Sequence, residues 1–310
     1  DEEVSRGLGD VYKRQQRESK NVRENAGVLD GSTLGKIEIK GKDALAFMNL
    51  IYTNSFSKMK PGTSRYALML GEDGMVKDDG IICKISDEHF IATTTTGGAA
   101  TVLGCMEEYA QTEWPNLNVY MNSITEQYAT FNISGPKTRN IIEKVFPEVN
   151  FSNEAFPFMT FQFHEYEDTP IRILRASFTG EMGYEIYVPS NQAVKIWEKI
   201  ISFGKEFGLM PYGTETMHLL RAEKGYIIVG QDTDGSITPL DLGLDWMIGK
   251  SKKDFLGKRS LIRSDTVRKD RKQLVGILPT NKNEKLEEGQ HIILDKEIKT
   301  PTPMLGHITS

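Results

Sequence analysis

The sequence predicts an α+β fold rather than a doubly wound parallel sheet. Strand-like and helix-like segments are mixed without regular βαβ alternation. The apolar run Tyr66–Leu70 meets Glu72-Asp73-Gly74 and a second strand-like run, which is a hairpin signal. Ala99, Val102, Leu103, Met106 and Ala110 fall at helical spacing, as do Ala193, Ile196, Ile200, Phe203 and Phe207.

In chain order, Lys36-Ile-Glu-Ile-Lys40 alternates like a half-buried strand, and Asp43–Leu50 reads as a short helix. The hairpin occupies about 65–85, and His89–Thr94 is a further strand. Gly97–Gln111 is an amphipathic helix, and residues 117–133 alternate again. Gly135-Pro136 opens a helix running to about Val145. Phe158–Tyr166 and Ile171–Ser177 pair as strands joined near Asp168-Thr-Pro170. The long helix ending at Phe207 is closed by Gly208, which suits a left-handed C-cap. Another helix covers 214–224, and the Lys/Arg-rich stretch 251–271 is a connector. Gln273–Leu278 and His291–Leu294 are expected to begin a β-barrel spanning 272–310.

A chain of 310 residues can bury a sizeable core. A net charge of −5 argues against a nucleic-acid or anionic-membrane surface. No apolar run approaches spanning length and no secretory signal is visible, so a cytoplasmic location is expected. Cys83 and Cys105 make no metal spacing and read as buried hydrophobes on a strand and a helix. No dinucleotide fingerprint, phosphate loop or nucleophile elbow is present. Residues 1–16 are polar and aperiodic and read as a non-matching leader, a scar or a junction, outside the fold.

Asp78 and Asp79 lie on the second strand of the hairpin. Successive strand side chains point to opposite faces, so one carboxylate should face inward and need a partner. Spacing alone leaves open that both are solvated at a strand end. Glu185 follows Gly180 and Gly183, glycines that can let a ligand approach the backbone. Residue chemistry alone favours a solvent-facing strand glutamate over a binding residue.

The hairpin 66–80 resembles that of the folate-binding aminomethyltransferase family, typified by the glycine cleavage T-protein. The likeness extends to Gly27–Gly35, which resembles the family's first strand, to Thr179–Glu185, to Gly230–Gly243 and to Thr302–Thr309. Thr93–Ala100, Gln111–Pro115, Tyr212–His218 and Arg221–Tyr226 resemble the sarcosine oxidase alpha-subunit branch of that family. The resemblance implies mixed and antiparallel sheets, a folate-binding region over 17–250 and a C-terminal barrel that is cut short here.

It also implies a site. Asp79 matches the catalytic aspartate, and Glu185 matches the glutamate that anchors the pterin, whose adjacent ring N–H and amine suit a carboxylate. Tyr66 aligns with a tyrosine of the folate cleft; a plain core aromatic is the alternative. Asp78, Thr95 and Leu34 are carried over as substrate- or cofactor-binding residues. Where the T-protein has a folate-holding arginine, this chain has Met217, which leaves the contacts of the folate carboxylates open. Arg221 and Glu223 are expected to form a structural ion pair, and His218 to pack on its helix.

The implied reaction is capture of a sarcosine-derived imine by tetrahydrofolate, giving glycine and 5,10-methylenetetrahydrofolate. The implied partners are a flavoprotein beta subunit and small gamma and delta subunits. NAD, FAD and FMN belong to an upstream region and to those subunits. Alternatives are a glycine-cleavage aminomethyltransferase, a dimethylglycine oxidase or a folate-dependent demethylase. The related iron–sulfur maintenance proteins carry Lys-Gly-Cys where this chain has Lys224-Gly225-Tyr226.

Overall fold

The computed structural model describes residues 14–281, 284–294, 297–298 and 300–310. Residues 14–24 are helical (α1). Thus 14–16, the tail of the expected leader, continue into the fold, while 1–13 lie outside the described residues. Gln15 Nε2 donates to the Glu215 carbonyl.

Two sheets carry the molecule. The first has six strands: β1 (Ala26–Asp30), β7 (Tyr128–Ser134), β8 (Phe161–Tyr166), β9 (Thr169–Leu174), β10 (Gly183–Pro189) and β11 (Leu209–Pro211). Their order is β11-β1-β7-β10-β9-β8. It is antiparallel except for the parallel β1·β11 pair, hence mixed. The second is wholly antiparallel, in the order β3-β4-β5-β2-β6. Its strands are β2 (Gly35–Lys40), β3 (Thr63–Leu70), β4 (Val76–Ser86), β5 (His89–Thr94) and β6 (Tyr120–Ser123).

Strand parity sorts the side chains into layers. Tyr184, Ile186 and Val188 of β10 and Ile171 and Ile173 of β9 pack with Ile141 and Ile142 of α4 (Thr138–Val145) and Ile196 and Ile200 of α5 (Ala193–Gly204). Ile37, Ile39, Ile82, Phe90 and Ala92 of the second sheet pack against α2 (Ala44–Ile51) and α3 (Ala99–Thr112). The alternate residues Cys83, Ile91, Leu174 and Tyr187 meet between the two sheets. The result is a helix–sheet–sheet–helix sandwich. Both cysteines are buried and unpaired.

The chain crosses between the sheets twice. Residues 27–35, expected as one strand, break at Gly31–Leu34, with β1 in the first sheet and β2 in the second. The alternating stretch 117–133 divides in the same way into β6 and β7. Lys36 Nζ, fully buried, donates to the Ser32 and Leu34 carbonyls, both at 2.9 Å, and ties down the first crossover.

Gly74 turns the β3–β4 hairpin with φ +83°, and Gly208 caps the α5 region with φ +75°. The β8–β9 turn falls at Glu167-Asp168, so Pro170 sits inside β9 rather than in the turn. Helix α6 (Thr214–Ala222) follows β11. The loops after it place Ile227, Leu242 and Met247 on Leu68 and Leu70 of β3.

Among the described residues no closed barrel is found over 272–310. Among the described residues, 273–278 join no strand, and the Leu274 N–H donates to the Asp241 carbonyl. An extended segment becomes a strand only where a neighbour completes its ladder. Beyond 272, the described residues hold one short pair, β12 (His291–Ile292) with β13 (Gly306–His307).

Candidate functional site

Asp79 stands on the inter-sheet face of β4, with Ile81 and Cys83, while Asp78 faces the helix layer. Tyr66 lies opposite Ile81 on the same face, so its hydroxyl reaches Asp79 Oδ2 at 2.6 Å. Burial raises the Asp79 carboxyl from its ordinary 3.8 to about 7, with the Tyr66 hydrogen bond pulling down and Asp78 pushing up. Such a group exchanges protons near neutrality. The neighbouring Gly80 permits this packing: a Cβ there would lie 1.9 Å from the Thr93 carbonyl oxygen.

Asp78 is buried beside the start of α3. Its Oδ2 accepts from the Thr95 backbone N–H at 3.3 Å, and its Oδ1 has no partner. Expected as a binding residue, it does not line the cavity described below. Strand parity turns it away and makes it a support for Thr95.

The second carboxylate comes from the other sheet. Glu185 on β10 is 8% exposed and faces the inter-sheet layer. Its Oε2 accepts from the Tyr187 hydroxyl at 2.5 Å, and Asn132 Nδ2 on β7 is 3.5 Å from Oε1. Burial raises its pKa, opposed by the Tyr187 hydrogen bond and by the charges of Arg172 and Lys36. Asn132 Oδ1 is buried without a partner.

Asp79, Tyr66, Glu185, Thr95 and Leu34 all line one cavity of about 1360 Å³. It lies where the chain crosses between sheets: Gly31, Thr33 and Leu34 belong to the first crossover, and Asn132 to the strand after the second. Residues 226–230 and 242–249 supply another wall. Met217 lines it too, together with His218, which sequence reading had simply packed on its helix. Arg65 and Lys77 are the arginine and lysine of the wall. Neither they nor Asn132 and Tyr187 were found from sequence. Alternation along the two hairpin strands puts Lys77 on the face of Asp79 and was a usable signal.

Two expectations change. Gly180 and Gly183 serve chain packing, not ligand approach. A Cβ on Gly183 would lie 2.6 Å from the Ala176 carbonyl oxygen, Gly180 has φ +78° with the Lys224 side chain over it, and neither lines the cavity. Arg221 pairs not with Glu223 but with Asp232, at 2.5 Å, both buried. Glu223 pairs with Arg23 of α1. The Asp232 turn also accepts from Thr309 and Ser310, so it draws Arg221 inward.

Fold and cavity define an α+β domain in which two carboxylates, one from each sheet, line one cavity. The chain belongs to the GCVT N-terminal domain family, which matches residues 9–252. A sarcosine oxidase subunit alpha from Corynebacterium sp. (strain P-1) is 50% identical over 95% of this chain and 31% of the relative. That of Rhizobium meliloti (strain 1021) is 41% identical over 95% of this chain and 30% of the relative. An aminomethyltransferase from Alkaliphilus metalliredigens (strain QYMF) is 33% identical over 89% of this chain and 74% of the relative. The chain thus spans about a third of the sarcosine oxidase subunits it resembles. The glycine cleavage aminomethyltransferase T structure from Bartonella henselae shares the fold, with TM-score 0.69 and 24% identity over 79% of this chain and 64% of that one. Among the described residues, no helix is long and apolar enough to cross a membrane.

Proposed function

We propose that this chain is the tetrahydrofolate-binding one-carbon transfer domain of a sarcosine-oxidising enzyme. It converts the sarcosine-derived imine to glycine and 5,10-methylenetetrahydrofolate, with the chemistry in residues 17–250. The observation that carries the reading is the placement of Asp79 and Glu185 on one cavity.

The cavity chemistry fits a pterin. Glu185 retains acceptor capacity beside the unpartnered Asn132 Oδ1, which suits a ligand edge bearing adjacent N–H donors. At about 1360 Å³ the space exceeds a typical pocket of roughly 300–1,000 Å³, as an extended ligand plus a second substrate requires. Arg65 and Lys77 are the cations available to the folate carboxylates where Met217 offers none.

Tetrahydrofolate supplies two nucleophilic nitrogens. The methylene carbon leaves the imine nitrogen for those two, and the two protons they lose end on the glycine nitrogen. Asp79, titrating near 7, receives and returns a proton in that exchange, and Tyr66 holds its carboxylate in place. Glu185 fixes orientation, which raises the effective concentration of the reacting pair. A flavoprotein beta subunit, with gamma and delta subunits, FAD, FMN and NAD elsewhere in the assembly, supplies the imine. The higher identity to the sarcosine oxidase subunits favours this reading over a glycine-cleavage donor.

The test is Asp79→Ala in the assembled enzyme. Oxygen uptake should persist, while methylenetetrahydrofolate formation falls by about 10²–10³ and free formaldehyde rises. An unchanged methylenetetrahydrofolate yield per oxygen removes Asp79 from the reaction.

A further inference from the structure

Arg172 is 5% exposed, in the layer between the sheets, yet its Nε and Nη1 are buried without a hydrogen-bond partner. A buried cation is costly to hold without compensation. Its close contact is the Tyr187 ring, whose centroid lies 4.0 Å from the guanidinium carbon. The contact follows from register. Arg172 and Tyr187 are directly paired across β9 and β10, and Leu174 and Glu185 form the neighbouring rung on the same face. The Tyr187 hydroxyl in turn donates to Glu185 Oε2 at 2.5 Å. A cation stacked on a phenol ring, with that phenol bonded to a carboxylate, forms a three-residue chain across two neighbouring rungs.

The structure assigns Arg172, through Tyr187, as the positioning residue that holds the Glu185 carboxyl aimed into the cavity. This rests on the reading of Glu185 as the pterin anchor. Arg172 itself does not line the cavity, so its effect on a ligand is indirect. A two-point acceptor works only as the carboxylate, since a protonated carboxyl loses one of its acceptor positions. Burial drives Glu185 toward the neutral form, and the Tyr187 hydroxyl, Arg172 and Lys36 oppose it.

The groups around Glu185 come from every packed element. Lys36 reaches it from β2, with its own pKa lowered to about 8 by burial and then by Arg172. Cys83 on β4 is pushed up to about 11 by burial and so stays neutral. Tyr212, beyond β11, is raised by burial and is also neutral. Asn132 on β7 is uncharged. Arg172 and Lys36 are therefore the two charges that oppose protonation of Glu185, and Lys36 is already committed to two carbonyls of the crossover.

The experiment measures binding of a stable reduced folate, 5-formyltetrahydrofolate, to the intact enzyme by calorimetry between pH 5 and 8. Wild type, Glu185→Gln, Arg172→Met, Arg172→Lys and Tyr187→Phe are compared. Removing the cation raises the Glu185 pKa, so the pH at which binding is lost on acidification should rise by about one unit in Arg172→Met. Tyr187→Phe should move it the same way, and it answers the question if Arg172→Met does not fold. Arg172→Lys should return it most of the way toward wild type. Midpoints equal to wild type in Arg172→Met and Tyr187→Phe, with folate binding intact and lost in Glu185→Gln, overturn this inference alone. Absence of wild-type binding, or full binding by Glu185→Gln, overturns the pterin-anchor reading and this inference with it.

Discussion

Replacing Asp79 by Asn should make the protein more stable as the pH rises. The native carboxyl titrates near 7 against an ordinary 3.8, chiefly because it is buried. The folded state therefore holds a proton that the unfolded chain has released over that window. Its contribution to stability is complete below 3.8 and is lost as the pH rises through 7. The difference corresponds to roughly 4 kcal/mol at most, and residual solvent contact brings the expectation to about 2–4 kcal/mol. Asn is neutral throughout, and its Oδ1 can still accept the Tyr66 hydroxyl bond of 2.6 Å. Urea unfolding at a series of pH values from 4 to 8 should show the variant gaining on wild type by that amount, with the gain levelling off above 7. The same variant should fail in methylenetetrahydrofolate formation. A stability difference that stays constant from pH 4 to 8 refutes the placement of Asp79 as a buried carboxylate titrating near neutrality.

Tyr66→Phe removes a hydrogen bond to that carboxylate, worth about 1.5–3 kcal/mol when one partner is charged, so the acid limb of the transfer pH–rate profile should rise by about one to two units. An unshifted limb would separate Tyr66 from Asp79. Arg221→Met strands Asp232 in a buried site and should cost about 3–5 kcal/mol in urea unfolding. A loss below about 1 kcal/mol would mean that the pair behaves as a surface salt bridge.

Much of the site was legible because strand parity is a strict rule. The hairpin was readable from its Asp-Gly turn, and alternation alone required Asp78 and Asp79 to part. The helix layer and the cavity then decided which faced which. Glu185 was different. Nothing in its spacing distinguished a pterin anchor from a solvated strand residue, and only the family motif singled it out. The glycines before it were misread because a close approach to backbone and a close approach to ligand leave the same residue type. Arg172 went unnoticed because β9 is buried on both faces, so Thr-Pro-Ile-Arg-Ile-Leu shows no clean alternation. A lone cation inside such an apolar run was the available signal. The breaks at 31–34 and 124–127 were invisible because each strand continues its alternation while changing sheets. The barrel expectation rested on the family pattern, and among the described residues of its span one short strand pair is present.

The two crossovers explain why the carboxylates differ in character. Glu185 rises from the middle of the six-stranded sheet, flanked by β7 and β9, with its oxygens fixed by Tyr187 and approached by Asn132. Asp79 lies beside the edge strand β3 of the other sheet, with a single side-chain donor and room toward the cavity. On the proposed function, a ligand spanning both is held at one end and meets a proton-exchanging group at the other. The spacing between the ends is set by the packed layer of Cys83, Ile91, Leu174 and Tyr187, not by a flexible loop. For a transfer driven mainly by positioning, that is the arrangement physics favours, because densely packed interiors deform little and a misplacement of about 1 Å can cost roughly a hundredfold in rate. Tyr187 is common to both devices. It packs in the layer that fixes the distance, and it donates to Glu185, the carboxylate proposed to hold the ligand.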